Sequence, residues 1–301
     1  MLPTRALLLA MAVAVGEASI SQPAMRLRGG GPVSFSKLSS APAVLKDGYG
    51  TDAKLEINTS TDINGGTGLT ATFVRAAADT IQSALKGTTS VQGVDVEASI
   101  DQTGTISAEG SYSGFVDGLK LTANAALEGG QSAKDIAAPT VSAEYTMGDL
   151  CATASVAGKN LAAGAVVDAG DVTVGASTTY DSSAGTLGDP SFAAKYDGGK
   201  FALSGLVKGL KGDDLTATYT QSVNSDLSVA GSFNTNGNSF EVGADYKIDA
   251  DSGIKGKLNS DGILNVGYSR KTTAGSKLNA GLQVDTHDLD KRKMGVSCVL
   301  G

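Results

Sequence analysis

From about residue 51 to the C-terminus, apolar and polar side chains alternate one by one, in stretches of about ten residues. Phe240, Val242, Ala244, Tyr246 and Ile248 alternate with Glu241, Gly243, Asp245, Lys247 and Asp249. Leu119, Leu121, Ala123, Ala125 and Leu127 alternate with Lys120, Thr122, Asn124 and Glu128, and Leu278, Ala280, Leu282 and Val284 with Asn279, Gly281, Gln283 and Asp285. A period of two means strands with one polar face, because successive side chains of an extended chain point to opposite sides. Gly198-Gly199, Asn236-Gly237 and Asp261-Gly262 separate the stretches and suit tight antiparallel turns. Counting in this way predicts about 19 strands, the first near Thr51 and the last near Lys291.

What the apolar face must meet decides the architecture. A soluble sandwich fills its core with bulky side chains. Here the apolar content is mostly Ala and Val, with 40 Gly, no Trp and 5% aromatic residues in 301. A large barrel asks only that its outer face meet lipid while its charged face lines water. The pattern therefore predicts an all-β transmembrane barrel, with a secreted β-solenoid or adhesin as the competing reading of the same Gly, Ser and Thr content. Spanning helices do not enter, since beyond the N-terminus the longest apolar run is about residues 161–167, far short of the ~18 a helix needs.

The N-terminus is a separate element. Residues 1–18 carry Arg5, an apolar run over 6–15 and the small residues Gly16 and Ala18, the composition of a removable leader with cleavage after Ala18. Residues 19–36, and on to Ser40, hold Arg26, Arg28, Lys37 and several Ser without Asp or Glu. That is either a transit segment, as in the two-part targeting signal of algae with complex plastids, or a disordered arm behind a secretory signal. Residues 37–50 are expected to form a pore segment and hinge, and 51–301 the barrel.

Catalytic chemistry finds no foothold. His287 is the only histidine and lies in a polar run, which suits a solvated loop better than a general base. Cys151 and Cys298 are too few for a disulfide framework. Alternation puts Cys298 on the lipid face with Met294, Val296 and Leu300, and Cys151 on the lumen face. The glycine runs lack the lysine of a phosphate loop, and no cofactor or metal is expected. With Arg5 and Glu17 removed, the 24 basic and 31 acidic residues fall by one each, so the net charge stays at −7 and nucleic acid is an unsuitable partner.

Several local sequences carry a resemblance to a known family. Lys46-Asp47-Gly48-Tyr49-Gly50 precedes the first strand, and Gly118-Leu119-Lys120 opens a central one. Asp245-Tyr246-Lys247-Ile248-Asp249, Lys257-Leu258-Asn259-Ser260 and Val266-Gly267-Tyr268 follow in order toward the C-terminus. In order and spacing they resemble the eukaryotic porins of the mitochondrial outer membrane, the voltage-dependent anion channels, over nearly all of residues 37–301. Nineteen strands is the number already known for that family, so the count agrees with it and does not discover it.

The resemblance implies a passive channel for small ions and metabolites, with membrane lipid and the barrel-insertion machinery as partners. It implies an N-terminal amphipathic segment inside the pore, here over residues 35–45, with Phe35, Leu38, Val44 and Leu45 against the wall, Pro42 interrupting the helix, and Gly48 and Gly50 as hinge. Lys293, Gly295, Val296, Cys298 and Leu300 fit the family's sorting signal, or simply a closing amphipathic strand. A nucleotide-contact region of the family falls on Ile263, Leu264 and Asn265 with Gly281, Leu282, Gln283, Val284 and Asp285. The lipid-facing glutamate of some members is replaced by Ala98, with Glu97 turned inward. Location follows the family to the mitochondrial outer membrane, or the leader to a plastid envelope. The alternatives in function are a protein-translocating or structural envelope barrel and a secreted β-rich surface protein.

Alternation also names the pore lining: Asp52, Lys54, Glu56, Asp95, Glu97, Asp101, Lys120, Glu128, Glu241, Asp245, Lys247 and Asp249. With Asp285, Lys208 and Lys293 added, acids exceed bases about two to one, which predicts a modest cation preference.

Overall fold

The computed structural model describes residues 32–46, 48–61, 67–77, 80–131, 138–272 and 275–300. The expected leader, most of the arm, and Asp47 lie outside the described residues.

Two single-turn helices, α1 (Phe35–Leu38) and α2 (Ala43–Lys46), precede the strands. These are β1 (Ala53–Thr61), β2 (Thr67–Ala77), β3 (Thr80–Val91), β4 (Val94–Asp101), β5 (Ile106–Tyr112), β6 (Leu119–Leu127), β7 (Thr140–Met147), β8 (Leu150–Ala157), β9 (Asn160–Ala169) and β10 (Val172–Asp181). They continue as β11 (Thr186–Leu187), β12 (Ser191–Asp197), β13 (Phe201–Lys208), β14 (Asp214–Ser222), β15 (Leu227–Asn234), β16 (Ser239–Lys247), β17 (Ser252–Asn259), β18 (Ile263–Lys271), β19 (Lys277–Asp285) and β20 (Asp288–Leu300).

Apart from β11 and β12, each strand pairs antiparallel with the next. β11 and β12 share one stave, since β10 pairs with β11 through Tyr180↔Leu187 and with β12 through Ser177↔Ser191. The described residues thus form a closed barrel of 19 staves. An odd number of up-and-down staves leaves the first and last running the same way. β1 accordingly closes on β20 in parallel, from Lys54↔Ser297 to Ile57↔Leu300.

Tight turns set the register. Between β3 and β4 only Gln92 (φ 52°) and Gly93 (φ 81°) connect the paired Val91 and Val94. Two consecutive positive φ values give the turn whose twist matches the strands it joins.

Cross-strand partners share a face, so one inward residue fixes all the others. Val166 faces inward under α1; its partners Cys151 and Gly175 follow, and the parity runs unbroken round the ring through the β1–β20 closure. The outward set is apolar: Leu55, Ile57, Leu85, Ile100, Leu121, Val174, Leu203, Val242, Leu258 and Val296 all stand exposed. Exposed apolar surface on this scale needs an apolar solvent. Outward aromatics gather at the strand ends, with Tyr112, Tyr145, Tyr196 and Tyr246 at one rim and Tyr180, Phe192, Phe233 and Phe240 at the other. Such girdles mark the two membrane–water interfaces.

Among the described residues the barrel has no filled centre. The largest fully buried side chains are Leu45, Val166 and Cys151, all on the inner side where the N-terminal segment lies or next to it.

Candidate pore lumen and its N-terminal segment

Pro42 divides the N-terminal segment. It has no N–H to continue the turn from α1, yet its carbonyl accepts from Leu45 and Lys46 and so starts α2. The segment touches the wall at two places. Phe35 and Leu38 of α1 pack on Val166, Ala193 and Leu206 of β9, β12 and β13. Leu45 of α2, 2% exposed, seats on Gly243 of β16, where an added Cβ would lie 2.9 Å from a Leu45 methyl.

Lys257 of β17 fastens α2. Its Nζ donates to the Leu45 carbonyl at 2.7 Å, pairs with Glu241 Oε1 at 2.9 Å and sits 4.9 Å over the Tyr49 ring. The Tyr49 hydroxyl donates to the Val44 carbonyl at 2.6 Å, closing the loop of contacts. Burial first, and then the charges of Asp245 and Glu241, push the Tyr49 phenol up to about 12.

Beyond Tyr49 the chain crosses β18, β19 and β20 over a track of inward glycines. Gly267 pairs with Gly281 and Gly281 with Gly295, placing three Cβ-free positions side by side. A Cβ added at Gly267 would stand 2.0 Å from the Gly48 carbonyl oxygen, and one at Gly281 2.0 Å from that of Gly50. At Gly295 it would meet the Thr51 carbonyl carbon at 2.2 Å. The backbone of residues 48–52 therefore lies directly on the backbone of the wall. Gly48, at φ 91°, adopts a turn that other residues avoid, whereas Gly50 has no positive φ.

Of the expected lining residues, the register turns Lys54, Glu56, Asp95, Glu97, Asp101, Lys120, Glu241, Asp245 and Lys247 inward. Asp52, Glu128 and Asp249 lie outside the strands; Asp249 caps a turn by accepting the Asp251 N–H, which holds its carboxyl below the usual range. Glu97 is inward and Ala98 outward.

The residues expected to meet a nucleotide divide. Ile263, Asn265, Gln283 and Asp285 face the lumen, whereas Leu264, Leu282 and Val284 face outward, and Gly281 is covered by Gly50. A lumenal ligand would meet the first four of these residues and not the outward three. In β20, Lys293 and Gly295 point inward and Val296, Cys298 and Leu300 outward. Cys151 is inward and buried, and both thiols are free. His287 sits in an exposed turn, 3.5 Å from Asp285. Among the described residues no group of His, Cys, Asp and Glu could hold a metal ion.

The acidic lumen does not survive the register. Inward acids on the strands are Glu56, Asp95, Glu97, Asp101, Glu109, Glu144, Asp168, Asp181, Asp197, Asp214, Glu241, Asp245, Asp285 and Asp288. Inward lysines are Lys54, Lys86, Lys120, Lys195, Lys208, Lys247, Lys255, Lys257, Lys271, Lys277 and Lys293, so the two signs nearly balance. Lys86, Lys195, Lys255, Lys257, Lys271 and Lys277 sit in strands whose alternation is blurred by Ser, Gly and Thr. Counting parity outward from each turn could have found them. Six pairs join across or along the wall, from Lys54–Glu56 at 2.7 Å to Lys195–Asp197 at 3.7 Å.

Known proteins are similar to this chain along most of its length. The family model described as Eukaryotic porin matches residues 31–295. The mitochondrial outer membrane protein porin 1 of Oryza sativa subsp. japonica is 26% identical over 270 residues, covering 84% of this chain and 92% of the relative. Non-selective voltage-gated ion channel VDAC2 of Homo sapiens is 29% identical over 128 residues, 40% of this chain and 43% of that one. Among solved structures, a mutant porin of Rh. blastica superposes with a TM-score of 0.46 at 11% identity, over 82% of this chain and 95% of that one.

Proposed function

We propose, for a chain that belongs to the eukaryotic porin family, a passive and weakly selective channel in the mitochondrial outer membrane that passes small ions and metabolites. That the protein is a pore-forming channel for small solutes follows from the family. The observation that carries the further reading is the sidedness of the wall, apolar outward and charged inward, around a lumen occupied only by the segment before β1 among the described residues. Near-equal numbers of acids and lysines, many of them paired, leave little net field, so cation and anion currents should be similar. Refolded protein in a planar bilayer tests this: discrete conductance steps with a reversal potential near zero in a potassium chloride gradient are expected. A strongly biased potential would overturn the weak selectivity, and an absence of steps the channel.

Voltage-dependent closing belongs to the same reading. It is supported by the voltage gating for which the VDAC2 relatives are named and by a pore segment held at a few points. A second location is favoured by one observation, the leader-like composition of residues 1–18 followed by an acid-free stretch to Ser40. That composition suits entry into the envelope of a complex plastid. Microscopy of a copy tagged at its C-terminus separates mitochondrial from plastid labelling.

A further inference from the structure

The balance of inward charge hides a separation of its signs. Going round the ring, β4 to β10 turn inward Asp95, Glu97, Asp101, Glu109, Glu144, Asp168 and Asp181, with Lys120 as the only lysine on these strands. β16 to β20 turn inward six lysines against Glu241, Asp245, Asp285 and its register partner Asp288, the last held by Lys291 at 3.3 Å. The first group centres on β7 and the second on β18, which lie on opposite sides of the closed ring.

Pairing sharpens the contrast. Glu97 is bridged by Lys86 of β3, and Asp101 is spent on the Thr103 and Thr105 turn. On the other wall Glu241 and Asp245 are taken by Lys257 and Lys255. Asp95 accepts from the Ser90 hydroxyl and Asp181 from the Ser183 and Ala184 amides. That leaves Glu109, Glu144 and Asp168 with neither a cation within 4.0 Å nor a turn to hold on one side, and Lys247, Lys271, Lys277 and Lys293 without a carboxylate on the other, among the described residues. Glu144 and Asp168 lie toward the ends of β7 and β9, and Lys247, Lys271 and Lys277 lie at the end of β16 and at the β18–β19 turn. In an up-and-down barrel these positions share one mouth, the one at which β1 ends. Glu109 stands midway along β5.

We propose that this lumen carries two ion paths: cations follow the acidic wall of β4 to β10, and anions the lysine wall of β16 to β20. The inference rests on the channel reading above. Distance makes the paths separate. Nineteen tilted staves at ~4.8 Å spacing give a backbone diameter of roughly 35–40 Å. At physiological salt a charge acts over a Debye length of only ~8 Å. Each wall therefore enriches its own counter-ion, and neither field reaches the opposite side. Lys37 of α1 and Lys120, which line one cavity with Glu144, and Lys86 on Glu97 weaken the acidic wall without reversing its sign.

Two triple variants test the proposal in planar bilayers: Glu109→Gln with Glu144→Gln and Asp168→Asn, and Lys247→Gln with Lys271→Gln and Lys277→Gln. Conductance combined with reversal potential, measured near physiological salt, resolves the potassium and chloride currents. The acid variant should lose potassium current, roughly twofold, with chloride current unchanged, and the lysine variant should do the converse. The sixfold variant should lose both while its reversal potential stays at the wild-type value. If removing the acids raises chloride current as it lowers potassium current, one field fills the lumen and the proposal fails. If neither triple changes either current, the walls do not guide ions and it also fails. Wild-type protein without conductance would instead overturn the channel reading, a separate outcome.

Discussion

Replacing Lys257 with Met should loosen α2 on the wall while leaving the barrel closed. The ammonium makes a charge-assisted bond to the Leu45 carbonyl at 2.7 Å and lies 4.9 Å over Tyr49. A hydrogen bond to a charged group contributes about 1.5–3 kcal/mol. A cation over an aromatic ring adds roughly 0.5–1 kcal/mol. Glu241 would lose its partner, but it faces water and can be solvated, so little penalty is added there. The docked state of α2 should thus be weakened by about 2–4 kcal/mol. Burial of Leu45, the other anchor, is worth about 1.5–3 kcal/mol, so the substitution removes about half of what holds α2. Hydrogen exchange of refolded protein reads this out: the amides of Leu45 and Lys46, which bond to Pro42, should lose protection, while the β-strand amides keep theirs. Lys257→Arg should retain most of it, and Glu241→Gln should change little. Unchanged protection of residues 45 and 46 in Lys257→Met would refute the assignment of Lys257 as the fastener.

Gly281→Val should displace the hinge, since even its Cβ would lie 2.0 Å from the Gly50 carbonyl oxygen; protease cleavage between residues 46 and 52 should rise, whereas Gly87→Val on the open outer wall should leave it unchanged. Ala123→Arg, outward on β6, should cost about 2–4 kcal/mol of folding stability if it lies at the bilayer midplane, and its inward neighbour Asn124→Arg almost nothing; equal effects in urea titration would count against a membrane barrel. Cys151 and Cys298 should stay reduced under oxidising conditions, because they face opposite sides of the wall on β8 and β20, and mass analysis showing a bridge would mean a different register. Tyr49 has a folded pKa above its unfolded value of 10.0, so its contribution to docking is complete below that pH and is lost as pH rises through about 12. The tyrosinate absorbance of wild type minus Tyr49→Phe should therefore appear late, and a titration near 10 would remove the half-buried hydroxyl bond from the account.

Most of the wall was legible because a strand with lipid on one side and water on the other must alternate. Val242 and Glu241, or Leu121 and Lys120, declare their faces without help from any neighbour. Turn glycines such as Gly93 and Gly262 added the boundaries. β11 escaped notice because Thr186 and Leu187 are followed by Gly188, Asp189 and Pro190, which read as one loop; only the pairing with Tyr180 and Asp181 makes those two residues a strand. The charge balance of the lumen is hidden in the sequence for a related reason. Strands of clear alternation happen to hold more acids, and Lys255, Lys257, Lys271 and Lys277 stand where Gly, Asn and Ser blur the pattern. Periodicity fixes a face within one strand. It is silent about what shares that face on the next.

The glycine track illustrates that limit and carries a consequence for how the pore segment is held. Gly267, Gly281 and Gly295 each occupy an ordinary alternating position, and each alone reads as a weak point in a strand. Register brings them to adjacent positions on β18, β19 and β20, and residues 48–52 then rest on them backbone to backbone. Gly243 belongs to the same set one level away, since it seats Leu45. Although Gly243 faces the lumen, Gly243→Arg is therefore no neutral counterpart to a lipid-facing Val242→Arg: it would unseat α2 where an open inward position such as Asn124 would not. The wall omits side chains where the N-terminal segment crosses it and presents Lys257 where that segment must be gripped. A segment attached this way has a definite seat along the wall from β9 to β20, and among the described residues the remaining arc, where Glu109 and Asn124 are exposed, is left uncovered for permeating solutes.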